Sequence, residues 1–145
     1  MKISSKGRYA LRMMIDIAQH NTGEWISIKD ISERQDISIK YLEQIVTNLT
    51  KSRLLISSRG PQGGYMLSKT PDKYTVGQIL RVIEGNLAPV ACLETDVNHC
   101  ERRSVCPTID FWEGLYNVIN NYVDSVTLQD LANSKCTAEG YDYSI

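Results

Sequence analysis

Apolar residues recur along this chain with two periods, and the change of period marks out its first half. From Lys6 to His20, the residues Ala10, Met14, Ile17 and Ala18 return at helical spacing, with Leu11, Met13 and Ile15 widening the stripe. A largely buried helix is expected there. Asn21 to Glu24 reads as a turn and Trp25-Ile26 as a short strand able to join a sheet. Ser27, with Asp30 three residues on, has the pattern of a capping box and opens a short helix from Ile28 to about Arg34. Asp36-Ile37 falls in a tight turn, and Ser38 offers the next N-cap. Behind it Leu42, Ile45, Val46 and Leu49 recur at i, i+3, i+4 and i+7, one apolar stripe on a second helix. The period then shortens. Leu54 to Ser58 and Tyr65 to Ser68 are strand candidates, joined by Arg59-Gly60-Pro61-Gln62-Gly63-Gly64. Glycines and a proline there suit a hairpin tip that needs positive φ and close backbone approach.

Helix, turn, helix and hairpin in that order make a winged helix. The face of the second helix opposite its apolar stripe carries Lys40, Tyr41, Glu43, Gln44, Thr47, Asn48 and Lys51. On its own such a set is what any solvated helix face looks like. Followed by a hairpin whose tip begins with Arg59, it suits base edges and phosphates in a major groove, with the tip in a minor groove. Lys6, Arg8 and Tyr9, at the positive end of the first helix, are placed to meet phosphate.

The second half returns to helical spacing. Thr75 and Gln78 form another capping pair, for a helix through about Glu84 with Val76, Ile79, Leu80 and Ile83 as its apolar positions, ended by Gly85. Residues 86–105 have no period. Pro107 suits the first turn of a long helix, where Asp110 favours the positive end. Trp112, Leu115, Ile119, Tyr122 and Val126 follow in steps of three and four, about two heptads of an a/d seam. A seam of that length beyond a complete winged helix suits packing on a twin, and a homodimer sets two recognition helices about one turn of a palindromic duplex apart. Thr127 and Asp130 cap a last short helix to about Asn133. The expected organisation is a winged helix-turn-helix domain over 1–85, a cysteine-containing loop over 86–106, a dimerisation helix with its short successor over 107–133, and a tail over 134–145. The fold class is mainly α with a small β-wing.

Charge sharpens this picture. The net charge of −1 hides 11 basic and 6 acidic residues in 1–70 against 5 and 11 in 71–145. A basic first half fits a DNA reader joined to something else. No apolar run approaches a membrane span and the N-terminal residues lack the apolar core of a signal peptide, so a cytoplasmic protein without a membrane partner is expected. Nothing assembles a nucleophile with a base, and there are only two histidines, which argues against an enzyme.

Cys92, Cys100 and Cys106 stand as C-x7-C-x5-C in the aperiodic loop. In a reducing compartment, clustered thiols point to metal or redox chemistry. The following helix N-terminus, with Arg102 and Arg103, should depress thiol pKa values and favour thiolates. Thiolates select zinc, copper(I) or an iron–sulfur cluster, and spacing does not choose among them. A fourth ligand could come from Glu94, Asp96, His99, Glu101, Asp110 or the more distant Cys136.

Several stretches together resemble the Rrf family of bacterial winged-helix regulators. They are Met1-Lys-Ile-Ser-Ser-Lys-Gly-Arg-Tyr-Ala10, Ile31-Ser-Glu-Arg-Gln35, Ser38-Ile-Lys-Tyr-Leu-Glu-Gln44, Arg59-Gly-Pro-Gln-Gly-Gly-Tyr65 and Val126-Thr-Leu-Gln-Asp-Leu131, with Trp112 and the three cysteines. The match covers nearly the whole chain and is nearest to the iron–sulfur cluster regulator branch, IscR. The resemblance implies a dimeric transcription factor with one cluster per subunit, 2Fe–2S or 4Fe–4S, on Cys92, Cys100 and Cys106. It implies that Ser38, Lys40, Tyr41, Glu43 and Gln44 belong to the base-reading helix, and that Arg59, Gly60, Pro61, Gln62 and Gly63 enter the minor groove. Three departures stand out. Ile109 occupies the position of that branch's histidine ligand, Arg8 that of the aspartate ligand of the nitric-oxide-sensing branch, and the first cysteine spacing is two residues longer. The tail, with Tyr141, Tyr143 and the terminal Ile145, resembles instead the cysteine-metabolism repressor branch, CymR, which partners cysteine synthase; capture of a free C-terminal carboxylate is a known peptide mode.

Overall fold

The computed structural model describes residues 1–134. The remainder of the tail, with Cys136, Tyr141, Tyr143 and Ile145, lies outside the described residues. Local capping sets the element boundaries. Ser4 Oγ accepts from the Gly7 amide at 3.1 Å and starts α1, Ser5–Gln19. Ser27 Oγ accepts from the Asp30 amide at 3.1 Å and starts α2, Ile28–Gln35; of the box expected there, this is the half that forms. Asp36 then takes a left-handed conformation, φ 53°, and turns the chain. Ser38 Oγ accepts from the Tyr41 amide at 3.2 Å to start α3, Ile39–Lys51.

The wing is a two-stranded antiparallel sheet, β1 Leu55–Ser58 against β2 Gly64–Leu67, with Leu55 opposite Leu67 and Ser58 opposite Gly64. The strand expected at Trp25-Ile26 is a single bridge, Ile26 to Tyr65, with paired backbone hydrogen bonds of 3.0 and 2.8 Å. Glycine is required beside it: a Cβ on Gly64 would collide with the Ile26 carbonyl and one on Gly63 with that of Ser58. Tyr74 closes the base of the wing. Its buried hydroxyl donates to the Leu54 carbonyl at 2.7 Å and accepts from the Ser68 amide at 2.9 Å.

One core joins α1, α2, α3 and the wing: Ala10, Met13, Met14, Ile17, Ile31, Leu42, Ile45, Leu49, Leu55 and Tyr74 are each at most 1% exposed. Burial of each large aliphatic chain contributes about 1.5–3 kcal/mol, far above any surface ion pair, so this core sets how α3 is held. Inside it sits one charge, Asp16, fully buried on α1. Its carboxylate accepts from Arg34 Nε and Nη2 at 2.9 and 2.7 Å and from Gln35 Nε2 at 2.9 Å, both at the end of α2.

The second half folds back on this unit. α4, Val76–Glu84, opens with a complete capping box between Thr75 and Gln78 and ends at Gly85. After two 3-10 turns, Ala91–Leu93 and Arg103–Val105, α5 runs Ile109–Ser125 and α6 Leu128–Asn133, the latter with its own Thr127–Asp130 box. α5 begins two residues later than its proline suggests. Pro107 precedes the helix, Thr108 is the cap residue, and Asp110 remains in the first turn. Arg81 on α4 makes a two-pronged bond to Asp124 on α5, at 2.7 and 2.9 Å, and donates to Asn120 at 2.9 Å. The guanidinium holds the Asp124 carboxyl below the usual carboxylate range, so this tie is in force at neutral pH and is lost as acid protonates the carboxyl. Backbone bonds from Val76 N to Val126 O, 2.9 Å, and Leu128 N to Tyr74 O, 3.0 Å, stitch the end of α5 to the start of α4.

Removing Asp16 leaves the Arg34 head without its carboxylate in a site built for an ion pair. Asp16→Ala is expected to lower unfolding free energy by about 3 kcal/mol, the lower end for breaking a buried pair because Arg34 is one-third exposed and rehydrates in part. Urea unfolding of the two proteins checks this; a loss below about 1 kcal/mol would mean that the pair does not hold α2 to α1.

Candidate nucleic-acid interface

α3 divides cleanly. Leu42, Ile45, Val46 and Leu49 are buried, and Ile39, Lys40, Glu43, Gln44, Thr47 and Lys51 are exposed along one continuous strip. Tyr41 and Asn48 lie half-buried at its edge. Tyr41 packs edge-on against Tyr9 of α1, ring centres 5.4 Å apart. Arg12 lies over the other partner of that pair, 5.3 Å from the Tyr9 ring centre, and donates to the Gln35 carbonyl at the turn. The first helix therefore steadies α3 directly. Arg12, a third basic residue of the first helix, is engaged in holding the turn.

The rest of that basic end is available. Arg8 is exposed, with its guanidinium 3.0 Å from Ser5 Oγ, and Lys6 is half-buried. The start of α1 is fixed by Glu84, the last residue of α4, whose carboxylate accepts from Ser4 N at 3.0 Å and Ser4 Oγ at 2.6 Å. At the wing, Arg59, Gly60, Pro61 and Gln62 are exposed, and Gly60 has φ 101°. Trp25 is 37% exposed and lines a groove with Pro61, Gln62 and Gly63. Sequence reasoning placed Trp25 in a strand beside the wing and did not foresee that its side chain lines a groove with the wing tip.

The cysteine loop offers donors of the right chemistry but not a formed ligand set. Cys92 and Cys106 are half-buried and Cys100 is exposed. Cys106 sits just ahead of α5. Hydrogen bonds from the Thr108 hydroxyl and amide, then the Ile109 amide and the Arg102 charge, hold its thiol below the ordinary cysteine range. Arg103 instead pairs with Glu113 at 3.4 Å. Among the described residues no three His, Cys, Asp or Glu side chains gather closely enough to hold a metal ion. Three thiolates suit an iron–sulfur cluster; their present arrangement does not fit one without closure of the loop.

α5 has no fully buried residue, yet it is apolar on two sides. Tyr116, Ile119, Val123 and Val126 pack against Val76, Leu80 and Leu87 of their own subunit. Phe111, Val118 and Tyr122 are 64%, 64% and 69% exposed, with Leu115 half-buried between them. Of the seam Trp112, Leu115, Ile119, Tyr122 and Val126, then, Ile119 and Val126 face inward, Val126 follows the helix, and Tyr122 faces out. No helix among the described residues is long and apolar enough to cross a membrane.

Comparison with known proteins bears on the whole assembly. The family described as "Rrf2: Iron-dependent Transcriptional regulator" matches residues 3–134. The HTH-type transcriptional regulator IscR of Pectobacterium carotovorum is 36% identical over 135 residues, 93% of this chain and 81% of that protein. The structure of CymR, the global cysteine regulator of B. subtilis, superposes with a TM-score of 0.74 at 37% identity over 91% of this chain and 96% of that one. The structure of T. potens IscR gives 0.72 at 37% identity over 99% and 96%. With its capped recognition helix, glycine-built wing and family match over almost all the described residues, the chain belongs to the Rrf2 family of winged-helix transcriptional regulators.

Proposed function

We propose that this regulator acts as a cytoplasmic homodimer on duplex DNA, reading a palindromic operator with α3 and the wing, and that the 86–106 loop carries its signal. The observation that carries the DNA-reading part is the exposed strip on α3, held against α1 by the Tyr9–Tyr41 contact, together with the exposed Arg59 at the wing tip and Arg8 on α1. Lys40, Tyr41, Glu43 and Gln44 supply base-edge donors and acceptors, and Ser38, Lys6, Arg8 and Tyr9 set register on phosphate. The exposed Phe111, Val118 and Tyr122 face is the dimer surface, continuous with Trp112 and Leu115. The signal is the ligation or oxidation state of Cys92, Cys100 and Cys106, as an iron–sulfur cluster or as thiol redox. The depressed Cys106 thiol supports this, since thiolates both ligate and oxidise.

A second reading, repression of cysteine metabolism with cysteine synthase as partner, draws on the likeness to CymR. Deletion of residues 141–145 separates the two. The first reading predicts unchanged operator binding and unchanged response; loss of a cysteine synthase effect would favour the second.

Two measurements test the main reading. Arg59→Ala is expected to weaken binding to a selected operator by about 1–3 kcal/mol, with a smaller loss on random duplex. Equal losses on both would reduce Arg59 to a phosphate contact. For the sensor, operator affinity of the anaerobically prepared protein and its air-exposed form is expected to differ by about 5–150-fold, the usual range of coupling between sites. The triple variant Cys92→Ala, Cys100→Ala, Cys106→Ala should show one affinity in both conditions. A wild type that does not respond, or a variant that responds equally, contradicts the loop's role.

A further inference from the structure

Five of the six exposed residues on the α3 strip are polar; the sixth is Ile39, 41% exposed at the first helical position. A single exposed apolar residue is ordinary on a protein surface, so its place must decide. Neither capping nor packing requires it. Ser38 supplies the cap, and Leu42, Ile45, Val46 and Leu49 fill the core-facing stripe. A β-branched chain is also a mediocre helix former, so local propensity does not favour it. It stands one turn before Glu43, at the end of the helix that helix-turn-helix proteins press deepest into the major groove. There the one apolar group on any base edge is the thymine C5 methyl.

We propose that Ile39 is a specificity-determining residue that reads a thymine methyl in each operator half-site. The inference rests on the DNA-reading role argued above. Glu43 accepts from a cytosine amino group, and Ile39, about 6 Å back along the helix, meets a base pair one or two steps away, base pairs being about 3.4 Å apart. The half-site thus carries a thymine beside the position that Glu43 reads.

The test begins with duplexes enriched from a random library by the wild-type protein. Each thymine of the enriched site is replaced singly by uracil, which removes only the methyl, and affinity is measured for wild type, Ile39→Ala and Ile39→Val. One position per half-site is expected at which uracil weakens wild-type binding about fourfold, the worth of one buried methyl at about 0.8 kcal/mol. Ile39→Ala should bind the thymine and uracil duplexes equally, and Ile39→Val, which keeps a methyl in place, should retain most of the preference. Indifference of the wild type to uracil at every position overturns the proposal, and needs no variant to fold. So does undiminished discrimination by Ile39→Ala. Failure to enrich any duplex is a different result, and overturns the DNA-reading role itself.

Discussion

Within the apolar core that holds α3, the buried carboxylate of Asp16 is the directional contact that fixes the corner from which α3 departs. A charge at that depth is tolerable only when its lone pairs are filled, and here Arg34 and Gln35 fill them from the last turn of α2. The pair fixes where α2 ends relative to α1. The left-handed Asp36 and the Ser38 cap then leave α3 little freedom of direction. Arg12, reaching the Gln35 carbonyl while covering Tyr9, and Tyr9 itself, against Tyr41, brace the same corner from the other side. For the readout proposed above, a rigid corner holds donors and acceptors in place before the duplex arrives.

The second half is tied to this unit by directional bonds more than by a deep core. Arg81 to Asp124, the Val76–Val126 backbone bond and the Thr127 box return the chain from α5 to the winged domain. Glu84 is the most consequential of these ties. It holds Ser4, and hence the positive end of α1, while Gly85 and the cysteine loop follow it immediately in the chain. Glu84 thus links the start of α1 to the helix end from which the cysteine loop departs.

Much of the fold was legible because its boundaries are written in local chemistry. Ser27, Ser38, Thr75 with Gln78, and Thr127 with Asp130 each cap where their spacing predicts, and the glycines of the wing mark a hairpin that other residues would block. What was not legible depends on partners distant in sequence. Asp16 interrupts an apolar run, which signals a buried polar group but does not name Arg34. The period of α5 shows that it is apolar on more than one side; it does not show that Ile119 and Val126 are covered by α4 while Phe111 and Val118 are left open. Cysteine spacing likewise gives the donors and not their convergence, which for a loop with only two short 3-10 turns is set by whatever closes it.

The most direct test of the account is the form of the DNA that the protein selects. Sequencing duplexes enriched from a random pool should reveal an inverted repeat whose half-site centres lie a whole number of helical turns apart, about 10–10.5 base pairs for each turn. An enriched set without two-fold symmetry, or binding that never departs from that of random duplex, would contradict a dimer that presents α3 and the wing to an operator.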